Sequence, residues 1–336
     1  MIKVLLNYYL PFAWTHGGTQ IQIEQTKCAL EETGIEVEFL RWWDDKQTGN
    51  VIQHFGRLPA HIIRVAQVRG IKVVLSDLLT EAGSRSALRL GVEKWVRRVG
   101  RHVFPRNLLI TLSWDSYQLA DACVALTPWE ARLLQQLFDA PQEKIHVVPN
   151  GVEEVFLESK PAERGKWLIC TATVTERKRV VELAEAAVLA ETPLWIVGKP
   201  YSETSKYGQK FLELTRKHPQ LLRYEGPIAD RPKLAEVYRE ARGFVLLSTM
   251  ESLSLSALEG AACGCPLLLS DLPWARTSFG NDATYCPITS SGGTAKVLKD
   301  FYERAPNLPT PPRPLSWVGV AHRLKGIYEK ILSAPP

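Results

Sequence analysis

The 336-residue sequence has no uninterrupted apolar run long enough to cross a bilayer, no low-complexity tract and no repeat at a solenoid period. These absences argue against a membrane-spanning helix, a disordered linker and a repeat array. The six cysteines offer no zinc-ligand spacing. Cys263 and Cys265 stand one residue apart without a His or Cys partner, and Cys28, Cys123, Cys170 and Cys286 are scattered, mostly through apolar runs. They read as buried free thiols of a reducing compartment. Excess charge is also small: 41 basic against 36 acidic residues leave +5, too mild to make nucleic acid the main partner but compatible with an anionic small substrate or surface. No Gly-x-Gly-x-x-Gly follows the first apolar segment, which disfavours a dinucleotide-dependent dehydrogenase. The stretch Met1 to Trp14, interrupted by Asn7 and Pro11, is too short and broken for a signal peptide, so a cytoplasmic protein is expected.

What the sequence does contain is an alternation of strand and helix patterns, repeated in two halves. Its length suits two domains of about 150 residues. In the first half, strands are predicted at Lys3–Leu6, Ile35–Leu40, Val51–Phe55, Lys72–Ser76 and Ala122–Leu126. Helices are predicted at Thr19–Glu32, Ala60–Gln67 and Pro128–Phe138, the last opened by a Thr127 cap. In the second half, strands at Trp167–Thr171, Leu194–Val197, Phe244–Leu247 and Pro266–Ser270 alternate with helices at Lys178–Leu189, Thr204–Lys217, Pro232–Arg242 and Leu255–Ala262. Strands apolar on both faces, alternating with amphipathic helices, predict parallel sheets covered on both sides. The turn-forming Pro149-Asn150-Gly151 marks the boundary, giving domains 1–150 and 151–312. The prolines Pro306, Pro309, Pro311, Pro312 and Pro314 then lead into a last helix, Trp317–Leu332, within a segment 313–336 expected to pack back toward the first domain. Ligands of such folds bind at the carboxyl ends of the strands, and two facing domains place the site in a cleft.

The most informative segment runs from Met250 to Pro266. Glu251 and Glu259 are eight positions apart, the first in the loop after a buried strand and the second inside the next helix. The helix start near Leu255 offers free N–H groups and positive partial charge to a phosphate. A carboxylate beside it accepts hydrogen bonds from a sugar diol. The competing reading is structural: Ser256-x-x-Glu259 matches a capping box.

This segment resembles the Glu-x7-Glu motif of retaining glycosyltransferases of the GT-B fold, in particular glycosyltransferase family 4. The likeness extends to Ala120-Asp121-Ala122-Cys123-Val124-Ala125-Leu126-Thr127-Pro128-Trp129-Glu130, to His146-Val147-Val148-Pro149-Asn150-Gly151-Val152, to Glu225-Gly226-Pro227, to Ser270-Asp271-Leu272-Pro273 and to Ser316-Trp317. It implies two Rossmann-like doubly wound domains facing across a cleft. It also implies transfer of a hexosyl group, with retention, from a UDP- or GDP-linked sugar to a glycan, lipid-linked or small-molecule hydroxyl, as in polysaccharide biosynthesis. Glu251 would hold donor-sugar hydroxyls and Glu259 the ribose diol, while backbone amides from Leu253 through Ser254 and Leu255 to Ser256 would face the phosphates. No Asp-x-Asp occurs, in keeping with a family that needs no bridging metal and no other cofactor.

Lys178, in Thr175-Glu176-Arg177-Lys178-Arg179, would neutralise the leaving diphosphate. Cations at a helix start oppose the macrodipole, so a cluster there calls for an anion; a solvated basic turn is the alternative. The family's arginine five residues earlier is Thr173 here, and Arg177 is the candidate to replace it. Gly17-Gly18 resembles the glycine loop that approaches donor phosphate and acceptor, although most Gly-Gly pairs are simple turns. His16 is a candidate acceptor contact. Where the family has a His-Asp pair this sequence has Ser76-Asp77, so Asp77 would orient the acceptor hydroxyl or else cap a helix.

The stretch Arg85–Arg106 holds seven basic residues against Glu93. Leu88, Val92, Trp95 and Val99 follow helical spacing, and Lys94, Arg97, Arg98 and Arg101 form the opposite stripe. This suits contact with anionic lipid at the inner membrane surface; the alternative is a solvated face whose apolar side lies in the core. Two rival functions stay open: a non-catalytic nucleotide-sugar binding protein, suggested by Thr173 and Ser76, which would bind without turnover, and a GT-B nucleotide-sugar epimerase, which would form product without acceptor.

Overall fold

The computed structural model describes residues 1–9, 17–83, 85, 87–105, 113–160, 162–288 and 290–334. The chain divides into two compact units. Met1–Gly151 with Trp317–Pro336 form unit 1, and Val152–Ser316 form unit 2.

Unit 1 is built on six strands: β1 (Lys3–Tyr8), β2 (Glu36–Phe39), β3 (Val51–Phe55), β4 (Lys72–Leu75), β5 (Ala122–Ala125) and β6 (Ile145–Val147). Their order is β2-β1-β3-β4-β5-β6 and every pairing is parallel, with Val4 beside both Val37 and Val51. All five residues of β3 are buried, as a strand covered on both faces requires. Helices α1 (Gly18–Glu32), α2 (Ala60–Val68), α3 (Thr80–Gly83) and α4 (Ala87–Val103) follow the strands, along with a helix over Pro128–Phe138. The last of these starts as its sequence predicts. Thr127 Oγ1 accepts the Glu130 N–H at 3.1 Å, and Pro128 stands at the first turn. The buried Glu130 carboxylate accepts from Leu126 N at 2.9 Å and Leu79 N at 3.1 Å, fastening the loop after β4 to this helix start. The terminal helix, Trp317–Ser333, belongs to unit 1 and packs on α1. Its Tyr328 hydroxyl donates to Gln53 Oε1 on β3, and Lys325 Nζ donates to the Thr33 carbonyl at 2.9 Å.

Unit 2 repeats the architecture with β7 (Leu168–Thr171), β8 (Leu194–Val197), β9 (Leu222–Tyr224), β10 (Gly243–Leu246), β11 (Leu267–Ser270) and β12 (Thr284–Cys286), in the order β12-β11-β10-β7-β8-β9, again parallel throughout. Its main core packs the helix Val180–Leu189 against β7 and β8. Val180, Leu183, Ala184 and Ala187 are fully buried there, with Leu168, Leu194 and Ile196.

Four expectations need correction. The helix expected from Lys178 begins at Val180; Glu176–Lys178 form a single 3₁₀ turn capped by Thr175, and Arg179 adopts a left-handed φ of 52° between the two. The basic cluster therefore occupies a turn ahead of the helix, and the argument from the macrodipole does not apply to Lys178 directly. Cys28 is exposed on α1, and Cys263 is half-buried. The face of α4 that carries Leu88, Val92, Trp95 and Val99 is exposed, at 81%, 55%, 65% and 38%, so it is not the core side. Arg97, placed with the solvated cations by spacing, turns inward instead: its guanidinium lies 4.4 Å from the Phe138 ring centroid and 5.4 Å from that of Trp114. The side chain of Arg101, and Arg106 and His16, lie outside the described residues.

In both sheets the chain starts in the interior, builds to one side, then returns to build the other. The strand order reverses between β1 and β3 in unit 1, and between β7 and β10 in unit 2. At such a switch point the loops leave in opposite directions and open a crevice at the carboxyl edge.

Candidate functional site

In unit 2 the switch point brings together two loops that the sequence keeps 70 residues apart. One is the turn after β7, carrying Arg177 and Lys178; the other follows β10 and carries Glu251. The backbone joins them: Thr249 N donates to the Arg177 carbonyl at 2.8 Å. The side chains then converge. Lys178 Nζ donates to Glu251 Oε1, Ser248 Oγ donates to the same oxygen at 2.7 Å, and Arg177 Nη1 approaches it at 3.4 Å while donating to the Met250 carbonyl at 2.6 Å. Ser248 is itself held, since its carbonyl accepts from Ser270 Oγ at 2.5 Å. All three donors to Glu251 reach Oε1. Among the described residues no donor reaches Oε2, so that oxygen retains its capacity to accept. Glu251 is 8% exposed, so its carboxylate is held in a largely desolvated setting.

The helix after this loop is Leu255–Ala262. Its N-cap is Ser254, whose Oγ accepts from Ala257 N at 3.3 Å. This corrects the capping-box alternative for Glu259. The cap is two residues earlier than Ser256, so Glu259 lies beyond the first turn and cannot reach back to the cap. Its carboxylate goes elsewhere: Arg231 Nη2 donates to Oε1, and Tyr238 Oη donates to Oε2 at 3.0 Å. Arg231 is braced by Glu153 Oε1 at 2.9 Å from its Nε and by the Phe156 ring, 4.6 Å from its centre. Burial raises the Glu259 carboxyl above the ordinary carboxylate range, against the pull of Arg231 and Tyr238. Burial alone would lower the Arg231 guanidinium, but the Glu259 charge carries it above its usual value. Tyr238, fully buried and beside that charge, is raised well above its ordinary value and stays a hydrogen-bond donor. Leu253 and Ser254 are buried, and Leu255 and Ser256 open the helix, where first-turn N–H groups have no intrahelical acceptor.

Sequence reasoning missed Ser248, Arg231 and Tyr238. Arg231 and Tyr238 sit on the helix Arg231–Glu240, 28 and 21 positions before Glu259. No local periodicity links them to it; only the packing of that helix on the next does.

Unit 1 holds the other candidates at its own switch point. Gly17 caps α1 with φ 146° and ψ −166°, a conformation closed to residues with a Cβ, and Gly18 is the first helical residue. At the carboxyl end of β3 stands a residue the sequence did not flag, His54, only 3% exposed. Trp42 Nε1, which can only donate, reaches Asn7 Oδ1 at 3.2 Å. That fixes the amide so that Asn7 Nδ2 donates to His54 Nδ1 at 2.6 Å, leaving the imidazole proton on Nε2. Burial pulls His54 down to about 4, so the ring is neutral near pH 7. Asp77 follows β4. It accepts from the Tyr117 hydroxyl and lies 3.8 Å from Arg57, which also donates to Tyr117 Oη at 3.0 Å. Neither of these partners is a helix N-terminus.

Two family profiles match the chain in succession: "Glycosyltransferase Family 4" over residues 16–155 and "Glycosyl transferases group 1" over residues 165–302. The chain belongs to the group 1, family 4 glycosyltransferases. Curated relatives named D-inositol 3-phosphate glycosyltransferase include one from Jonesia denitrificans, 30% identical over 183 residues, 48% of this chain and 43% of that protein. Another, from Thermobispora bispora, is 32% identical over 181 residues, covering 48% and 42%. The matched stretches thus span under half the length of these relatives. Among solved structures, a glycosyltransferase from Rickettsia africae aligns over 99% of both chains with TM-score 0.67 at 13% identity. Sucrose-phosphate synthase from Thermosynechococcus elongatus also aligns over 99% of both, with TM-score 0.67 at 17%. Anabaena HepE, solved with UDP-glucose, aligns over 98% of both with TM-score 0.63 at 13%. At these identities the likeness establishes the GT-B fold. No helix among the described residues of this family 4 chain is long and apolar enough to cross a membrane.

Proposed function

We propose that this chain transfers a hexosyl group from a UDP- or GDP-linked sugar to a hydroxyl of a glycan, lipid-linked or small-molecule acceptor, with retention and without a metal ion. The observation that carries the reading is the Glu251 carboxylate: three donors gather on one oxygen and the other is left to accept a sugar hydroxyl. Lys178 and Arg177 stand beside it as cations for the leaving diphosphate, whose negative charge grows as the glycosidic bond breaks. Arg177 takes the part that Thr173 cannot. The amides from Leu253 to Ser256 and the start of the helix Leu255–Ala262 favour the phosphates. Glu259 accepts the ribose diol on the lone pairs that Arg231 and Tyr238 leave. With retention, the acceptor attacks from the face the diphosphate leaves, and a departing phosphate oxygen takes the acceptor proton; neither glutamate acts as a nucleophile. Positioning and electrostatics then account for the acceleration. On the acceptor side, Gly17 and Gly18 allow close backbone approach, Asp77 orients the hydroxyl through its Tyr117-braced carboxylate, and His54 presents a neutral N–H.

A thermal-shift screen of UDP-, GDP-, ADP- and dTDP-sugars on the wild type and on Glu259→Ala tests this. One donor class should raise the melting temperature of the wild type and not of the variant. Failure of every donor overturns the reading. With the donor known, product formed without an acceptor would identify an epimerase, and binding without turnover a non-catalytic receptor.

A further inference from the structure

Helix α4 is turned the opposite way from a helix that only closes a core. Its inner face is Leu90, Glu93, Arg97 and Gly100. Leu90 is buried, and Arg97 lies over Phe138 and Trp114. Gly100 sits so close to Trp114 that an added Cβ would come within 2.9 Å of its ring. Glu93, the helix's single acid, also faces inward, accepting from Arg97 at 2.6 Å and from Arg85. What remains outside is apolar. Leu88, Val92, Trp95, Val96, Val99 and Val103 are exposed at 81%, 55%, 65%, 41%, 38% and 69%. At 100° per residue these six positions fall within an arc of about 100°. Exposed cations flank that arc, with Arg89 on one side and Lys94 and Arg98 on the other. Six exposed apolar side chains in one stripe are more than a monomeric surface usually leaves uncovered.

We propose that α4 is a membrane-surface helix that lies in the plane of an anionic bilayer, its stripe inserted at the level of the acyl-chain boundary and Lys94, Arg98 and Arg89 among the headgroups. The charge pattern selects this occupant. A partner protein or a second copy covering an apolar stripe gains little from cations on both borders with the acid removed to the inside. A bilayer of anionic lipid gains from both features, because the long basic side chains reach the phosphates while their stems stay on the apolar boundary. Trp95, near the middle of the stripe, supplies the amphipathic ring such interfaces favour. The inference does not depend on the identity of the sugar donor or on the glycosyl-transfer reading.

Vesicle co-sedimentation of the full chain tests it, with phosphatidylcholine vesicles and with vesicles containing phosphatidylglycerol. The wild type should pellet with the anionic vesicles and largely lose that binding at high salt. Lys94→Gln and Arg98→Gln should each lower partitioning about five-fold, the effect of one surface cation. Val92→Glu with Trp95→Glu should abolish pelleting, whereas Leu189→Glu, at an exposed apolar residue of unit 2 (64%), should leave it unchanged. All variants alter exposed side chains, so their melting curves should overlay that of the wild type, and a variant that melts early is replaced by Val92→Ser with Trp95→Ser. Equal pelleting on neutral and anionic vesicles, pelleting that survives the double variant, or a light-scattering mass of a dimer that becomes monomeric in the double variant each overturn the proposal.

Discussion

The two units share a parallel six-stranded sheet with one switch point, yet they furnish that point in opposite ways. In unit 2 the carboxyl edge is ionic: Lys178 and Arg177 meet Glu251, and Arg231 meets Glu259, each carboxylate held on one or both oxygens before any ligand arrives. In unit 1 the described residues near the ends of β1 and β3 include an uncharged pair, Asn7 and His54. Asn7 is hydrogen-bonded to a neutral His54, and Asp77, after β4, is engaged by a tyrosine hydroxyl and by a guanidinium 3.8 Å away. The same backbone plan therefore carries an ionic cluster in one unit and an uncharged buried pair in the other; under the proposed function the first suits an anionic donor and the second an acceptor that presents hydroxyls. A transfer reaction between a charged donor and a neutral nucleophile calls for that division.

The contrast can be broken most severely at Lys178. Lys178→Ala removes the cation from the donor edge, and turnover with the donor named by the thermal-shift screen should fall about 10²–10³-fold; a loss under ten-fold would remove Lys178 from the proposed chemistry. Next, Arg231→Met leaves the buried Glu259 without its charge partner. Urea unfolding should show a loss of about 3 kcal/mol, the magnitude found when one half of a buried ion pair is deleted. Tyr238→Phe, which removes one hydrogen bond to the same carboxylate, should cost less than half of that.

A third test concerns pH. Because His54 titrates at about 4 in the folded chain and near 6.5 when exposed, the unfolded state binds the proton first as pH falls. Its contribution to stability is present above pH 6.5 and is lost between 6.5 and 4, by roughly 3 kcal/mol in all. Glu259, raised by burial, acts in the opposite sense, since the folded state takes up its proton first. His54→Asn should flatten the pH dependence of unfolding between 6.5 and 4, and an unchanged slope would mean that unit 1 is not held by a neutral imidazole. The smallest effects belong to the caps. Thr127→Ala and Ser254→Ala should each cost about 1 kcal/mol in denaturant melts, but only Ser254→Ala should also weaken donor binding.

Much of this arrangement was legible in the residues themselves. Val51–Phe55, Leu194–Val197, Pro128–Phe138 and Leu255–Ala262 form at the predicted positions, because a strand apolar on both faces and a helix with a serine, threonine or proline start are each written locally. The strands Ile145–Val147, Leu222–Tyr224 and Thr284–Cys286 were not legible. Three residues are too few to show a two-residue period, and all three strands lie at a sheet edge, each pairing with a single neighbour. The cap of the helix after Glu251 shows a different limit. Ser254 and Ser256 both suit an N-cap, and the Ser256-x-x-Glu259 spacing left a capping box open, but the first turn follows Ser254. Likewise the apolar stripe of α4 was legible as a stripe, while its direction was not. That direction depends on Phe138 and Trp114 receiving Arg97 and on Trp114 receiving Gly100, a packing no sequence window contains.

The return of residues 317–333 to unit 1 also bears on how the chain is made. Gln53 on β3 accepts from Tyr328, 275 positions later, and α1 packs against that last helix. At ordinary elongation rates of roughly 5–20 residues per second, unit 1 waits about ten to forty seconds after its last strand leaves the ribosome before its final helix is synthesised. Unit 2, continuous from Val152 to Ser316, can finish within that interval. The half of the protein translated first is thus the half completed last, and a nascent chain stalled before residue 317 carries an α1 without its helix partner, a surface that a chaperone would meet.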